Sequence, residues 1–264
     1  AGKTVTVYAT QFNAEASAWQ AKAGELVNGR NVLTIPQIGS QNTPRGGSLY
    51  ITYSGTGPEG IRLHIRRATD IPVLELGGWN AMTDAERSQT ISAYLAELDN
   101  YLAVNKVGAS QTDWRNVTEI STPSVLLSLP AGAVQTGLSR VSDRAAQLEN
   151  SLLAWEDVLS ICQTGQGISG PMESRQNIRC MQMFTGAFMY AAGNHIGIGY
   201  GSCSGMVGGA PLSQLPDGAA ANRLFGWGIA HEIGHNMDKL GKAEITNNIY
   251  SLAVQAYDGG SMAM

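Results

Sequence analysis

The first eighty residues of the chain contain short runs in which apolar and polar residues alternate. These runs cover residues 4–8, 48–53 and 61–65, and segments rich in Gly, Pro and Asn separate them. Alternation puts every second side chain on one face of an extended strand. We therefore predict a small antiparallel sheet in this region. Residues 14–26 are the exception, because their composition favours a helix.

Apolar residues recur at helical spacing beyond residue 80. Thr83 stands three residues before Glu86, which is the pattern of a capping box at the start of a helix. Apolar positions at helical spacing follow through Asn105. The further predicted elements are a helix over residues 138–162, strands between residues 177 and 190, and helices over the last forty residues.

The order of these elements predicts an α+β fold. We place a boundary near residue 80, between a β-rich N-terminal subdomain (residues 1–80) and a mixed α/β domain (residues 81–264). A chain of 264 residues is long enough to bury a substantial core as one large domain or as two smaller ones.

The composition argues against two classes of partner. The formal net charge is −4, charged residues make up 14% of the chain, and Lys and Arg form no extended run, whereas a nucleic-acid surface needs a concentrated basic face. No stretch approaches the ~20 apolar residues that span a bilayer. Low charge with abundant Gly, Ser, Thr and Asn suits an extracellular protein. The N-terminus carries no signal-peptide pattern, so we expect a chain that is either cytosolic or already trimmed.

The three cysteines are too few for a disulfide scaffold. Cys162, Cys180 and Cys203 are scattered and form no Cys-x-x-Cys pair. Free Cys is among the most often buried residue types, so we expect buried thiols. A bridge between Cys162 and Cys180 is the alternative.

Residues 231–235 read His-Glu-Ile-Gly-His. On a helix, His231 and His235 project from one face and can share a metal ion. Glu232 then lies beside them, where the general base of a metal-dependent hydrolase belongs. An ordinary charged helix is the alternative, but a buried helix with two unpaired His and a Glu would leave polar groups unsatisfied. The pattern therefore predicts a site for one zinc ion.

A third protein ligand is expected, because catalytic zinc commonly takes three and leaves the fourth position to water. A three-histidine motif would need Gly at 238 and His at 241, but the chain has Asp238 and Gly241. Gly241 lets the backbone turn into a second predicted helix, whose first turn carries Glu244. We predict Glu244 as the third ligand, with Asp258 in reserve.

Two polar residues near these ligands are candidates to orient them. Asn248 follows Glu244 by one helical turn, so its amide oxygen can accept a hydrogen bond from a ligand imidazole and fix the tautomer. Asp238 could do the same for His235. A surface or capping role is the alternative for both.

These residues predict metal-assisted hydrolysis. Glu232 would take the proton of a water activated by zinc and pass it to the leaving amine. A further donor should stabilise the oxyanion, and the sequence does not identify it.

The stretch from residue 226 to residue 257 resembles the enhancin-like, mucin-degrading zinc metallopeptidases. Their pattern is HExxH followed by a downstream Glu ligand, and here eight residues separate the two. Residues 44–47 and 68–77 resemble the N-terminal β-rich portion of the family. The resemblance therefore extends over nearly the whole chain.

The resemblance implies a gluzincin-like, zincin-type catalytic domain with the motif on its active-site helix. It implies His231, His235 and Glu244 as zinc ligands, Glu232 as base, and cleavage of O-glycosylated, mucin-like proteins by a secreted or cell-surface enzyme, which we expect to be a monomer. Relatives continue beyond the second helix, often into carbohydrate-binding modules. Because this chain ends at Met264, we expect its catalytic domain to be truncated at the C-terminal end.

The glycine-rich residues 194–209 lie just upstream of the motif. We predict an exposed strand here that pairs with an extended substrate backbone, the alternative being a loop that needs glycine conformations. Candidates for substrate contact, each with structural packing as the alternative, are Asn194, His195, Tyr200 and Trp227. His64 is expected to be a surface or sheet-packing residue.

A glycan- or glycoprotein-binding module with a non-catalytic zinc site is the second hypothesis. The β-rich N-terminal part favours it. Glu232 argues against it, because a structural zinc site prefers four protein ligands and does not use a glutamate beside the first histidine.

Overall fold

The N-terminal part of the chain forms a three-stranded antiparallel sheet. In the computed structural model, which describes residues 4–12, 20–38, 47–55, 61–167, 175–193, 195–214, 223–237 and 241–258, its strands are β1 (Thr4–Thr10), β2 (Gln20–Leu26) and β3 (Ser48–Ser54). β1 lies between the other two. The strands predicted at residues 4–8 and 48–53 are confirmed.

Two predictions for this region are wrong. Residues 20–26, predicted as the end of a helix, form β2, because pairing with β1 outweighs the helical propensity of Ala, Lys and Glu, which tertiary context commonly overrides. Residues 14–19 of that predicted helix lie outside the described residues. Residues 61–65, predicted as a strand, are irregular and largely exposed, so their alternation has no core to bury an apolar face against. His64 is exposed in this segment.

A six-stranded mixed sheet forms the centre of the molecule. Its strands are β4 (Val73–Glu75), β5 (Thr118–Ser121), β6 (Val125–Leu129), β7 (Gln176–Cys180), β8 (Met189–Ala191) and β9 (Ile196–Ile198). Their order across the sheet is β4-β5-β6-β7-β9-β8. β5 and β6 are antiparallel, as are β8 and β9, and the other neighbours are parallel. The short strands β4 and β8 are therefore the edges.

The two faces of this sheet differ in polarity. One row of cross-strand neighbours is entirely buried and apolar, and it consists of Leu74, Ile120, Leu127, Ile178 and Ile196. The adjacent row, on the opposite face, carries Glu119, Ser128 and Arg179. The N-terminal sheet reaches this polar face, because the Tyr50 hydroxyl donates to Glu119. The apolar face carries the main core.

Five α-helices complete the fold of the described residues. They are α1 (Asp84–Val104), α2 (Ala131–Leu138), α3 (Arg144–Gly165), α4 (Gly226–Met237) and α5 (Ala243–Tyr257). The predicted capping box is confirmed, because Thr83 accepts from the Glu86 amide and donates its own amide to the Glu86 carboxylate. Among the described residues, no helix is long and apolar enough to cross a bilayer.

The helix predicted over residues 138–162 begins too early. Leu138 ends α2, and the Asp143 side chain accepts from the Ala146 amide at 2.9 Å, so this N-cap starts α3 at Arg144. The β prediction between residues 177 and 190 is confirmed for β7 and β8, whereas residues 181–184 between them are irregular. The last predicted helices correspond to α4 and α5.

All three cysteines are buried and free, as expected. No bridge joins Cys162 to Cys180. Burial raises the pKa of the Cys162 thiol to about 12, which keeps it protonated and unreactive at neutral pH.

The fold is α+β with a β-rich N-terminal part, as predicted. β4 precedes residue 80 and nevertheless pairs with β5 of the larger sheet. The division into domains at residue 80 stays a prediction.

Two glycines of α2 provide a test of its packing. A Cβ atom on Gly137 would lie 2.3 Å from the Ser204 carbonyl oxygen and 2.7 Å from a methyl group of Val207. Gly→Ala within a helix ordinarily stabilises by about 0.5–1 kcal/mol. We expect Gly137→Ala to lower the free energy of unfolding instead, by roughly 1–3 kcal/mol, in chemical denaturation.

Gly132→Ala in the same helix is the matched control. The nearest side-chain atom to its new Cβ would be Asn116 Oδ1 at 3.5 Å, an ordinary contact. This variant should be neutral or slightly stabilised. Equal effects of the two substitutions would contradict the close approach of α2 to residues 204–207.

Candidate metal centre

The centre is built where α5 packs across α4. A Cβ atom on Gly234 of α4 would lie 2.7 Å from the Tyr250 ring and 3.0 Å from Asn247 Oδ1, both on α5. Only glycine at this position lets the two helices come so close. Gly241, with φ of 67°, adopts the left-handed conformation that glycine favours just before α5 begins.

Three side chains from these two helices converge. His231 Nε2 lies 3.3 Å from one carboxylate oxygen of Glu244, and His235 Nε2 lies 3.5 Å from the other. One ligand atom from each of the three residues lies within 4.8 Å of the others. Among the described residues, this is the only group of three or more His, Cys, Asp or Glu side chains so arranged.

The cluster is open to solvent on the side of α5. The side chains of the two histidines are 18% and 23% exposed, whereas that of Glu244 is 78% exposed. A set of two imidazoles and a carboxylate could therefore hold a metal ion and leave a position free for water.

Glu232 lies beside this group on the buried side of α4. Its carboxylate oxygen is 4.0 Å from His235 Nε2, and Glu232 is not among the residues whose ligand atoms lie within 4.8 Å of one another. Burial raises the pKa of Glu232 above its ordinary value, while His235, His231 and a backbone hydrogen bond from Ala191 act in the opposite direction. The carboxyl group is thus close to the three donors without being one of them.

Asn248 contacts one of the histidines. Its Oδ1 lies 3.0 Å from His231 Nδ1, and its Nδ2 donates to the Glu244 carbonyl oxygen at 3.0 Å. Because Nδ2 is the donor, Oδ1 accepts from His231, which fixes the imidazole with its Nδ1 protonated and its Nε2 lone pair free.

The sequence also made Asp258 and Asp238 candidates for this site. Asp258 accepts the amides of Arg223 and Leu224 at 3.0 and 3.2 Å, so it anchors the segment that enters α4 and does not join the three donors. Asp238 lies outside the described residues, and its role stays a prediction.

The strand beside the centre is β8. The prediction that residues 194–209 form an exposed strand is wrong, because β9 is buried between β7 and β8 and residues 200–207 form a 3₁₀ helix. Ile196 and Ile198 bury their side chains on the apolar face, and β9 pairs with β7 on one side and β8 on the other. The sequence predicted β structure at residues 188–190 but gave no sign that it forms the edge.

The four candidates for substrate contact lie in different environments. His195 is buried, with Nε2 3.1 Å from the Tyr190 hydroxyl. Tyr200 and Trp227 are half-buried at the starts of the 3₁₀ helix and of α4, and Asn194 lies outside the described residues. The burial of His195 favours a structural role, and substrate contact by the others stays a prediction.

The fold is that of metallopeptidase catalytic domains. It matches the M60 catalytic domain of Clostridium perfringens ZmpC, solved in complex with the sialyl T antigen, with a TM-score of 0.59 at 22% identity over 95% of this chain. The ZmpB metallopeptidase from Clostridium perfringens matches with a TM-score of 0.60 at 21% identity over 95% of this chain. A ZmpB structure that includes the CBM51-1 and CBM51-2 domains gives 0.57 at 21% identity over 96% of this chain and 25% of that one.

The family model of peptidase M60, enhancin and enhancin-like, matches residues 109–262, more than half of the chain, which therefore belongs to this family. The resemblance found in the sequence is confirmed. The chain spans about half the length of the first two matched structures, 48% and 46%. A search of curated proteins gives no match.

The buried His195 makes stability depend on pH. Burial, aided by the positive charge of Arg179, lowers its pKa to about 4, whereas an exposed histidine has a pKa of about 6.5. Between these values the unfolded chain binds a proton that the folded protein does not. We expect the free energy of unfolding to fall as the pH drops from 6.5 to 4, by on the order of 1–3 kcal/mol from this residue.

Chemical denaturation of wild type and His195→Gln over this pH range measures the effect. The variant should be less stable at pH 7, and its deficit should shrink as the pH falls. A difference between the two proteins that is independent of pH would contradict a histidine kept neutral by burial.

Proposed function

We propose that the chain is a zinc-dependent endopeptidase that hydrolyses peptide bonds in O-glycosylated, mucin-like proteins. His231, His235 and Glu244 would hold the ion, and Glu232 would act as general base. The proposal depends above all on the convergence of the three donors, with Glu244 3.3 and 3.5 Å from the two imidazole nitrogens.

The donor spacing fits zinc. Zinc binds imidazole nitrogen and carboxylate oxygen at about 2.0–2.2 Å with tetrahedral geometry, which puts neighbouring ligand atoms roughly 3.4 Å apart. The two distances to Glu244, one to each carboxylate oxygen, lie on either side of this value, and one ligand atom from each of the three residues lies within 4.8 Å of the others. The hydrogen bond from His231 Nδ1 to Asn248 supports a ligand role, because metal-binding histidines almost always donate their other nitrogen to such a partner.

Glu232 has the environment of a general base. A bound zinc ion supplies Lewis acidity for a water and for the scissile carbonyl. Glu232 takes a proton from the water and delivers it to the leaving amine. Because burial raises its pKa, the carboxyl group can both accept and release a proton closer to neutral pH. The Ala191 amide orients the carboxylate.

The free edge of β8 provides a place for the substrate backbone. An edge strand has unpaired N–H and C=O groups that an extended peptide can join. Among the described residues β8 is an edge strand of the larger sheet, and it packs beside α4, because a Cβ atom on Gly228 would lie 2.9 Å from the Met189 sulfur. An extended peptide along β8 would run past Glu232.

Family membership and one fold relative support the substrate class. The chain is a member of the peptidase M60, enhancin-like family, and the ZmpC domain was solved with the sialyl T antigen. We propose that this protein likewise meets its substrate outside the cell, as a secreted or cell-surface monomer. Appended carbohydrate-binding modules, like the CBM51 domains of ZmpB, are proposed for the full-length protein.

Replacing the base separates an enzyme from a binding module. We expect Glu232→Gln to bind one zinc ion per chain, measured by atomic absorption, and to lose cleavage of O-glycosylated protein by roughly 10²–10⁴-fold. Glu97→Gln on the exposed face of α1 is the matched control and should cleave normally. Cleavage by Glu232→Gln at the wild-type rate would contradict the assigned base, and substrate binding without cleavage by wild type would support the binding module.

The substrate class has its own test. One mucin, with and without prior removal of its O-glycans, is incubated with the protein in the presence and absence of a zinc chelator. We expect cleavage of the glycosylated form alone, abolished by the chelator and restored by added zinc, because ligand loss removes the Lewis acid. Equal results for both forms, indifferent to the chelator, would contradict the assignment.

A further inference from the structure

We propose that Tyr190 is a positioning residue, whose ring and hydroxyl clamp the edge strand β8 to β9 and thereby hold the Ala191 amide on the Glu232 carboxylate. The inference rests on the proposed function for its catalytic consequence. The clamp itself follows from packing on the two faces of β8.

On the face of β8 opposite to α4, the Tyr190 ring lies against its cross-strand neighbour. Tyr190 pairs with Gly197, and a Cβ atom at position 197 would lie 2.3 Å from two carbon atoms of the ring. Any other residue at 197 would push the ring away. The ring is buried, so its apolar surface contributes to the attachment of β8.

The hydroxyl of Tyr190 fixes the end of the same hairpin. It lies 3.1 Å from His195 Nε2, and the two rings meet edge-on with centroids 5.5 Å apart. The Ala192 amide donates to the His195 carbonyl oxygen at 2.9 Å. His195, which contacts the Tyr190 hydroxyl, therefore also closes the turn between β8 and β9.

On its other face, β8 packs against α4. Met189 and Ala191 are two residues apart and share a face of the strand, and Gly228 and Glu232 are four apart and share a face of the helix. Met189 packs where a Cβ atom on Gly228 would be, and the Ala191 backbone hydrogen-bonds to Glu232. Strand and helix therefore meet at two successive points, the second of which is the base.

Tyr190 is important because it attaches β8 on the face opposite to α4, which Met189 and Ala191 do not share. The strand has three residues and, in the described parts of the chain, one neighbouring strand, and such an edge opens easily. If the ring is displaced, the Ala191 amide moves relative to Glu232. A misplacement of about 1 Å in a catalytic arrangement can cost 10²-fold in rate.

The test compares two glycine substitutions. Gly197→Ala displaces the ring, whereas Gly201→Ala, whose Cβ would meet nothing within 4 Å, is the matched control. For Gly197→Ala we expect faster amide hydrogen exchange over residues 188–192, unchanged zinc content, and a kcat roughly 10- to 100-fold lower, with a smaller change in KM. Gly201→Ala should match wild type in all four measurements.

Variants of Tyr190 distinguish displacement of the ring from a general folding defect in Gly197→Ala. Tyr190→Phe keeps the ring and loses the hydrogen bond between the hydroxyl and His195, so its exchange rate should stay within about tenfold of wild type. Tyr190→Ala should resemble Gly197→Ala in exchange rate and kcat. The double variant should have the same exchange rate and kcat as Tyr190→Ala, because without the ring the Cβ atom at position 197 has nothing to displace.

Three results would overturn the proposal. They are unchanged exchange over residues 188–192 in Tyr190→Ala, faster exchange with unchanged kcat, and an effect confined to KM. If wild type lacks peptidase activity, the proposed function fails, and the exchange comparison alone decides whether Tyr190 holds β8.

Discussion

The site depends on the close packing of α5 against α4 at Gly234. A Cβ atom at position 234 would lie 2.7 Å from the Tyr250 ring. Glycine therefore lets α5 come close enough for Glu244 to lie between His231 and His235. The same approach brings Asn248 within 3.0 Å of His231. One interhelical contact thus sets both the donor cluster and the orientation of one imidazole, before any metal binds.

The larger sheet determines which strand borders this helix pair. Its apolar face packs against helices, and its polar face, with Glu119 hydrogen-bonded to Tyr50, contacts the N-terminal sheet. Because β9 is interior, β8 becomes the free edge beside α4. The edge strand and Glu232 are therefore adjacent through the order of the strands, and Tyr190 across Gly197 keeps that edge attached.

The sequence predicts those features that depend on local periodicity. The i, i+4 spacing of His231 and His235 puts both on one face of any helix, and the Thr83 capping box marks a helix start wherever the helix packs. Features that depend on tertiary pairing were missed. Residues 20–26 form β2 only because β1 is available, and the β structure predicted at residues 188–190 gave no sign that it lies at the edge of the sheet. The pairing of Tyr190 with Gly197 joins two segments whose register is set by the fold.

The central claim is that His231, His235 and Glu244 hold one zinc ion with an open position. X-ray diffraction from crystals of the purified protein, with anomalous data collected on both sides of the zinc absorption edge, tests it most directly. We expect a single anomalous peak within about 2.0–2.2 Å of both Nε2 atoms and a Glu244 carboxylate oxygen. Diverging donors without a peak, or a fourth protein group in the coordination sphere, would contradict the claim.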